Sequence, residues 1–336
     1  MLSNSIKRRN QKTILGFSFV FLAVAILVSL NTGSFAISFA EMVEIFSKGA
    51  TDTLKGKVLF KLRLPRIVMA LTVGMLLGSS GGVMQTVFRN PIADPYIIGI
   101  SASATFGAVV AYFLKLPESF YGIFGSVFSF ITASIIFKLS ETRRPGAGLS
   151  TLLVIGIAIS AFIRALISLS MYIMGEDSFR IILWTMGYLG RGSWREILIL
   201  VVPLVGSLLY FHHHRFHLDA LLLEEAEAHS LGINVKKFRR EVLIVATFMV
   251  GFSVAFSGMI GFVGLIIPHI VRTIFGNTNT KVIPLSALYG GIFLLVCDTL
   301  ARGISPSMEI PIGIITAIFG APFFLYLSFK MRRRGI

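Results

Sequence analysis

The sequence predicts an all-α polytopic membrane protein with about ten transmembrane helices in a single domain, residues 1–336. Of the 336 residues, 55% are hydrophobic and only 14% are charged, whereas soluble domains carry about 25% charged residues. The mean hydropathy is +0.83. The apolar residues also form separate runs of roughly 17 to 25, a length that crosses the hydrocarbon core as a helix.

Ten such runs follow one another along the chain. The first comes after four basic residues and so resembles a signal peptide, but its length and the many later runs favour a retained span. Glycine and proline inside the runs are tolerated, because neighbouring helices satisfy the freed backbone groups in lipid. The runs lie near residues 14–35, 64–87, 97–114, 120–138, 150–173, 196–211, 241–257, 259–275, 282–301 and 311–329.

The distribution of Lys and Arg predicts the orientation in the membrane. Cytoplasmic loops collect these residues, and an N-terminus inside places 19 of the 31 in cytoplasmic segments. An even number of spans then puts both termini in the cytoplasm. The net charge of +15 is thus explained by the membrane, and we expect lipid, and no nucleic acid, as a partner.

One cytoplasmic segment, residues 212–240 between the sixth and seventh runs, differs from the other loops. It mixes charged residues with apolar ones, including three consecutive leucines, Leu221–Leu223. This pattern predicts one or two short helices that lie outside the bilayer and end at Gly232. A docking surface for a cytoplasmic partner explains the leucines, and a plain interfacial helix is the alternative.

Several motifs of energy-converting proteins are missing. The sequence has no G-x-x-x-x-G-K-[ST] loop to cradle ATP phosphates. Ion-coupled carriers usually place carboxylates or broken helices at mid-depth, yet Asp298 and Glu309 lie near the ends of predicted spans and Asp94 lies in a loop. We therefore expect an external energy source. A secondary carrier without an ATPase is the main alternative, and a membrane-embedded enzyme is a more distant one.

The histidines of the cytoplasmic segment raise the question of a metal site. Arg215 stands among them, and no cysteine or carboxylate lies at ligand spacing, so we expect no bound metal ion. His269 is expected to pack or to form a hydrogen bond, and the single cysteine, Cys297, to be a small buried side chain. The histidines of the segment are His212, His213, His214 and His217.

The second run ends in an unusual corner. Its glycines lie three and four residues apart with two serines between them, a spacing that lets a neighbouring helix approach closely. Pro91 and Pro95 then prevent the helix from continuing, while Asn90 and Asp94 can bond to backbone groups of a turn. A tight cytoplasmic corner between the second and third spans is expected. The glycines are Gly74, Gly78, Gly81 and Gly82.

Four stretches identify a family resemblance. Residues 74–104, GMLLGSSGGVMQTVFRNPIADPYIIGISASA, resemble a signature of the ABC-importer permeases that carry iron–siderophore complexes, haem and cobalamin, the type II importer transmembrane subunits. SGMIGFVGLIIPHIVR, at 257–272, is similar to the glycine-punctuated segment of that family. EAEAHSLGINV, at 225–235, resembles its ATPase-contact region, and EIPIGIITAIFGAPFFLYL, at 309–327, its closing span. The matches run in order along nearly the whole chain.

This resemblance implies the partners and the activity. The chain would be a permease and not an enzyme, paired with a second copy of itself in a bacterial or archaeal cytoplasmic (inner) membrane. Two cytoplasmic ABC ATPase subunits would bind ATP and Mg²⁺, with no cofactor in this chain, and an extracytoplasmic binding protein would deliver the cargo. Relatives carry ferric siderophores, haem, cobalamin or oxyanions such as molybdate, and we favour a ferric siderophore.

The resemblance also implies roles for residues at the two ends of the pathway. The cytoplasmic gate would comprise Asn90, Ile92, Leu149 and Ser150, with a merely structural turn as the alternative for the first two. ATPase coupling would involve Leu221, Leu222, Glu225, Ala226, Ala228, Leu231 and Gly232. Binding-protein docking would involve Arg63, Arg66 and Arg302, because Arg holds carboxylates in a bidentate fork. Ordinary snorkelling anchors are the alternative for these arginines.

By the same resemblance, the fifth span would line the translocation pathway between two copies of the permease. Ser160, Arg164 and Ser168 recur every four residues and therefore share one helix face, which Met171 continues. A charged Arg at the centre of a bilayer costs at least roughly 2.5–3.5 kcal/mol, and a wet pathway removes most of that cost. Arg164 would then offer positive charge to an anionic chelate. The alternative is an Arg that bonds to carbonyls of a neighbouring helix.

Overall fold

A computed structural model describes residues 2–94, 96, 99–117, 119–140, 148–190, 192–304 and 309–333, and these residues form helices and loops without a strand. The helices are α1 (Leu2–Asn31), α2 (Phe39–Lys48), α3 (Leu54–Val58), α4 (Leu64–Phe88), α5 (Ile100–Phe113), α6 (Ser119–Ser140), α7 (Gly148–Met174), α8 (Ser178–Thr185), α9 (Trp194–His213), α10 (Arg215–Ala220), α11 (Glu225–Ser230), α12 (Val235–Ser257), α13 (Val263–Phe275), α14 (Asn279–Ile304) and α15 (Ile312–Arg333).

Each of the ten predicted runs coincides with a helix. Within the described residues, six segments are long and apolar enough to cross a membrane. They correspond to α1, α3 together with α4, α7, α9, α12 and α14. Four shorter apolar helices, α5, α6, α13 and α15, account for the other runs. The all-helical polytopic fold is thereby confirmed, whereas ten crossings and two cytoplasmic termini stay predictions.

The centre of the fold is the close pairing of α4 with α14. A Cβ atom added to Gly74 would lie 2.3 Å from the Gly290 carbonyl oxygen, and one on Gly78 would lie 2.1 Å from the Ser286 carbonyl oxygen. Gly81 approaches Gly264 of α13 in the same way, at 2.0 Å from its carbonyl oxygen. The glycine spacing therefore permits backbone contact between helices, as the small-residue pattern predicts.

The helix is interrupted between α12 and α13, at the boundary between the predicted runs 241–257 and 259–275. Gly258 has φ +68° and Phe262 has φ +69°, so two left-handed residues bracket the break. Neighbouring segments bond to it, since the Tyr188 N–H donates to the Ser257 carbonyl at 2.8 Å and the Tyr96 hydroxyl to the Ile260 carbonyl at 3.2 Å. These bonds satisfy backbone groups that the interrupted helix leaves free.

Candidate transport and coupling sites

The corner after α4 has the bonded geometry that its sequence predicts. Asn90 Oδ1 accepts from the Ile92 N–H at 3.0 Å, and Asp94 Oδ1 accepts from the Tyr96 N–H at 2.8 Å. The Ala93 N–H also donates to the Asn90 carbonyl at 3.1 Å. The Asn90 side chain thus holds the turn that presents Ile92, and both residues remain half-buried.

The second predicted gate element is only partly described. The loop residues 141–147 lie outside the described residues, as do the side chains of Leu149 and Ser150, whose backbone opens α7. The gate role of Leu149 and Ser150 therefore stays a prediction.

The predicted pathway stripe runs from a half-buried position to the surface of α7. Ser160 Oγ donates to the Gly156 carbonyl at 2.6 Å and lies against Gly99 at the start of α5. Met171 is half-buried beside apolar residues of α5 and α6, whereas Arg164 and Ser168 are exposed. The structure places the Arg164 charge on the surface of a single subunit. Its contact with cargo stays a prediction.

The three arginines expected to dock a binding protein are buried and bonded within this chain. Arg66 pairs with Asp298 and Glu309, each at 2.9 Å, and Arg302 pairs with Asp298 at 3.0 Å. Arg63 donates to the Leu30 carbonyl at 2.5 Å and to the Phe35 carbonyl. Burial is possible because carboxylates and carbonyl oxygens replace water around the positive charges. Docking of a binding protein here stays a prediction.

The cytoplasmic segment 212–240 forms two short helices, α10 and α11, followed by a turn in which Gly232 has φ +78°. Both helices and their end at Gly232 are as predicted. Two of the proposed coupling residues are buried, since Leu221 is 1% exposed and Ala228 is fully buried. Their side chains pack into the hydrophobic core of this chain and fasten the segment to it.

The remaining coupling residues differ in exposure. Leu231 is 63% exposed, Gly232 is exposed and Leu222 is half-buried, so these residues are available to a partner. The side chains of Glu225 and Ala226 lie outside the described residues. The coupling role of every one of these residues stays a prediction.

The structure adds an exposed apolar side chain that sequence reasoning missed. Phe216 is 67% exposed in the cytoplasmic segment, where Leu223, one of the three consecutive leucines, is 40% exposed. Phe216 carries the Arg215 guanidinium over its ring, 4.6 Å from the ring centroid. An aromatic residue within a hydrophilic stretch was the available signal, but its exposure depends on how α10 packs.

Polar contacts between this segment and the transmembrane helices were also missed. Arg89 Nε donates to the Leu221 carbonyl at 2.7 Å. Asp219 Oδ1 accepts from the Asn279 backbone N–H at 2.6 Å and from Asn279 Nδ2 at 2.9 Å. In the sequence Arg89 is merely one basic loop residue, and nothing in the residue pattern indicates its acceptors.

The histidines of the segment pack as aromatic rings. The His214 and His217 rings lie 5.7 and 5.5 Å from the Phe238 ring, measured between centroids. Among the described residues, no group of three or more His, Cys, Asp or Glu is arranged to hold a metal ion. Cys297 is buried, as predicted for a small apolar side chain.

Taken together, the apolar helices and their close packing through glycine define a multi-pass membrane protein. The model of the FecCD transport family matches residues 21–330, and the chain belongs to this family. It is accordingly an ABC transporter permease, a membrane subunit and not an enzyme.

Two relatives and one solved structure are similar to this chain over nearly its full length. The molybdate import system permease protein of Haemophilus influenzae is 36% identical over 94% of this chain and 95% of its own. The hemin transport system permease protein of Yersinia pestis is 34% identical over 97% and 98%. An inward-facing structure of a metal-chelate type ABC transporter shares 33% identity, with a TM-score of 0.85 over 95% of this chain and 99% of that chain.

Proposed function

We propose that this chain is the transmembrane subunit of an ATP-driven importer that moves a metal chelate inward across the cytoplasmic membrane. Two copies would enclose the pathway, two ATPase subunits would bind the cytoplasmic segment, and a binding protein would deliver the cargo. The observation that carries the proposal is the segment that contains the short helices α10 and α11. In this segment, Phe216 and Leu231 are exposed outside the transmembrane helices. Exposed apolar side chains in such a place support contact with a cytoplasmic partner.

The partner is tested by purification from native membranes. The tagged permease should retain an ATPase subunit that carries a P-loop, and the Leu231→Asp and Phe216→Asp variants should lose most of it, since a carboxylate cannot be buried unpaired in an apolar interface. Phe39→Asp, at a 60% exposed residue of α2, is the matched control because it makes the same apolar-to-carboxylate change outside the segment. Retention of no ATPase by the unchanged protein would refute the proposal.

Ferric siderophore is the favoured cargo, because a surface Arg164 on the pathway suits an anionic chelate. Haem and cobalamin are also metal chelates and are the alternatives within this class. Molybdate is a second candidate, because the Haemophilus influenzae relative named for it has 36% identity. Titration of the binding protein that co-purifies with the complex against ferric hydroxamate, haemin, cyanocobalamin and molybdate should identify one cargo by its affinity. Tight binding of molybdate alone would contradict the chelate proposal.

A further inference from the structure

Two polar contacts fasten the cytoplasmic segment to different transmembrane helices. Arg89, the residue that follows α4, donates from Nε to the Leu221 carbonyl at 2.7 Å and from a terminal nitrogen to the Leu223 carbonyl. Asp219 of α10 receives two bonds from Asn279, the first residue of α14, at 2.6 and 2.9 Å. One contact therefore reaches α4, and the other reaches α14.

The Arg89 contact lies beside the Asn90–Asp94 turn. Arg89 has φ +49°, and its N–H donates back to the Thr86 carbonyl at 3.2 Å, so its backbone forms the junction between α4 and the turn. A non-glycine residue in this left-handed conformation costs roughly 1–2 kcal/mol. Because the side chain of this junction holds two carbonyls of the cytoplasmic segment, displacement of that segment would pull directly on the backbone that precedes Asn90.

The Asp219 contact continues into the protein interior. Asn279 Oδ1 accepts from Thr86 Oγ1 at 2.6 Å, and Arg272 of α13 donates to Thr86 Oγ1 at 2.6 Å and to the Gly82 carbonyl at 3.0 Å. Asn279 is 1% exposed and Thr86 is fully buried. Buried networks of this kind are rigid and orientation-specific, so α10, α14, α4 and α13 are tied at one point.

Building on the proposed function, we infer that Arg89 and Asp219 are positioning residues that transmit movement of the cytoplasmic segment to the Asn90–Asp94 turn and to α14. The apolar contacts of Leu218 and Leu221 also hold α10 in place, but apolar contacts have no directional preference. Charge-assisted hydrogen bonds fix both distance and direction, as transmission of a displacement requires. The exposed side chains of the segment remain available to the ATPase.

A single introduced cysteine can report movement of the turn. Cys297 is the chain's one cysteine and is 1% exposed, so the reactive thiol of an Ile92→Cys protein is the introduced one. The complex with its co-purifying ATPase is placed in lipid nanodiscs, and the rate of maleimide labelling is compared without nucleotide and after trapping with ATP and orthovanadate. This measurement needs no knowledge of the cargo.

We expect trapping to change the labelling rate of the Ile92→Cys protein at least threefold. Added Arg89→Ala should remove most of that change while ATPase binding and ATP hydrolysis persist. Arg89→Lys should restore part of it, because an ammonium can reach one carbonyl but lacks the guanidinium fork. Asp219→Ala should also weaken the response, and this variant acts from α10, away from the labelled turn.

Lys237→Ala is the control. It removes another cation of the same segment, one that is exposed near the start of α12, and it should keep the full response. The inference is overturned if the Arg89→Ala and Asp219→Ala proteins keep the full change in labelling rate. It is also overturned if ATPase binding and the change in labelling rate fall in proportion, since a proportional loss indicates a structural role. Absence of any bound ATPase in the parent protein would instead refute the proposed function.

Discussion

Asp298 lies in a buried cluster of charges at adjoining ends of α4 and α14. Its two oxygens accept from Arg66 Nε at 2.9 Å and from Arg302 Nε at 3.0 Å, and its side chain is 1% exposed. Arg302 also donates to Ser29 Oγ at 2.6 Å, so the cluster includes α1. A carboxylate in such a place is stable because both arginines are paired to it, and it joins three helices.

Asp298→Asn should lower the stability of the protein strongly. Removing one partner of a buried ion pair costs about 3–5 kcal/mol, because Arg302 would stay buried without its ion-pair partner, whereas Arg66 would keep Glu309. The measurement is thermal unfolding of the purified permease in detergent. Glu44→Gln is the control, because the Glu44–Lys48 pair has side chains 59% and 69% exposed and such pairs contribute about 0.2–1 kcal/mol. Similar small shifts in both variants would contradict this interpretation.

Arg164 should affect transport and not stability, since its side chain is exposed on α7. Arg164→Ala is expected to lower the uptake rate of an anionic cargo severalfold, whereas Arg164→Lys should keep most of it because the charge is retained. Uptake of the identified cargo into proteoliposomes is the measurement, with thermal unfolding as the check on folding. Unchanged uptake in Arg164→Ala would show that the charge does not line the pathway.

At the scale of elements, α4 is the helix around which the others are arranged. It packs against α14 through Gly74 and Gly78 and against α13 through Gly81, and Arg89, the residue that follows it, holds the cytoplasmic segment. Close backbone contact leaves no space for added atoms, so α4 and α14 are expected to move together. The same helix therefore connects the central packing with the corner at Asn90.

Gly78→Ala should destabilise this pairing. The new Cβ would lie 2.1 Å from the Ser286 carbonyl oxygen, and overpacking of a close-packed site costs typically about 1–3 kcal/mol. Gly206→Ala in α9 is the matched control, because nothing lies within 4 Å of its added Cβ and alanine favours helix over glycine by roughly 0.5–1 kcal/mol. Thermal unfolding should shift downward for the first variant only. Equal shifts would argue against backbone contact between α4 and α14.

For the whole molecule, the exposed surface is as informative as the core. Large apolar side chains are exposed on several helices, among them Phe17 of α1 at 71%, Phe162 of α7 at 66% and Val202 of α9 at 72%. Apolar surfaces of this extent are covered by lipid or by another protein. The α7 surface also carries Arg164 and Ser168, which favours a second copy and a wet pathway there.

Energy coupling is a property of the assembled transporter. Uptake into proteoliposomes that hold the complex should require ATP inside and should persist when proton and sodium gradients are collapsed by ionophores. The reason is that no carboxylate of the predicted spans lies where an ion-coupled carrier binds its ion. Uptake that continues with ATP exhausted and an ion gradient intact would identify a secondary carrier instead.

Local properties made much of this fold predictable. Run length and hydropathy located the ten apolar helices, the spacing of Gly74 and Gly78 predicted close helix contact, and Asn90 with Asp94 predicted the bonded turn. Each of these features depends on neighbouring residues along the chain. The short helices of segment 212–240 follow the same rule, because Gly232 ends them in a left-handed turn.

The sequence by itself determined the class of protein, its helices and its family, since apolar length, glycine spacing and turn chemistry are encoded by residues close together in the chain. Tertiary structure alone decided which polar groups form contacts with one another. Arg66 and Asp298 are 232 residues apart, and Arg89 and Leu221 are 132 apart. The physical reason is that burial and partner choice depend on how helices pack, so Arg63, Leu221 and Ala228 are buried although the family resemblance implied that other subunits contact them.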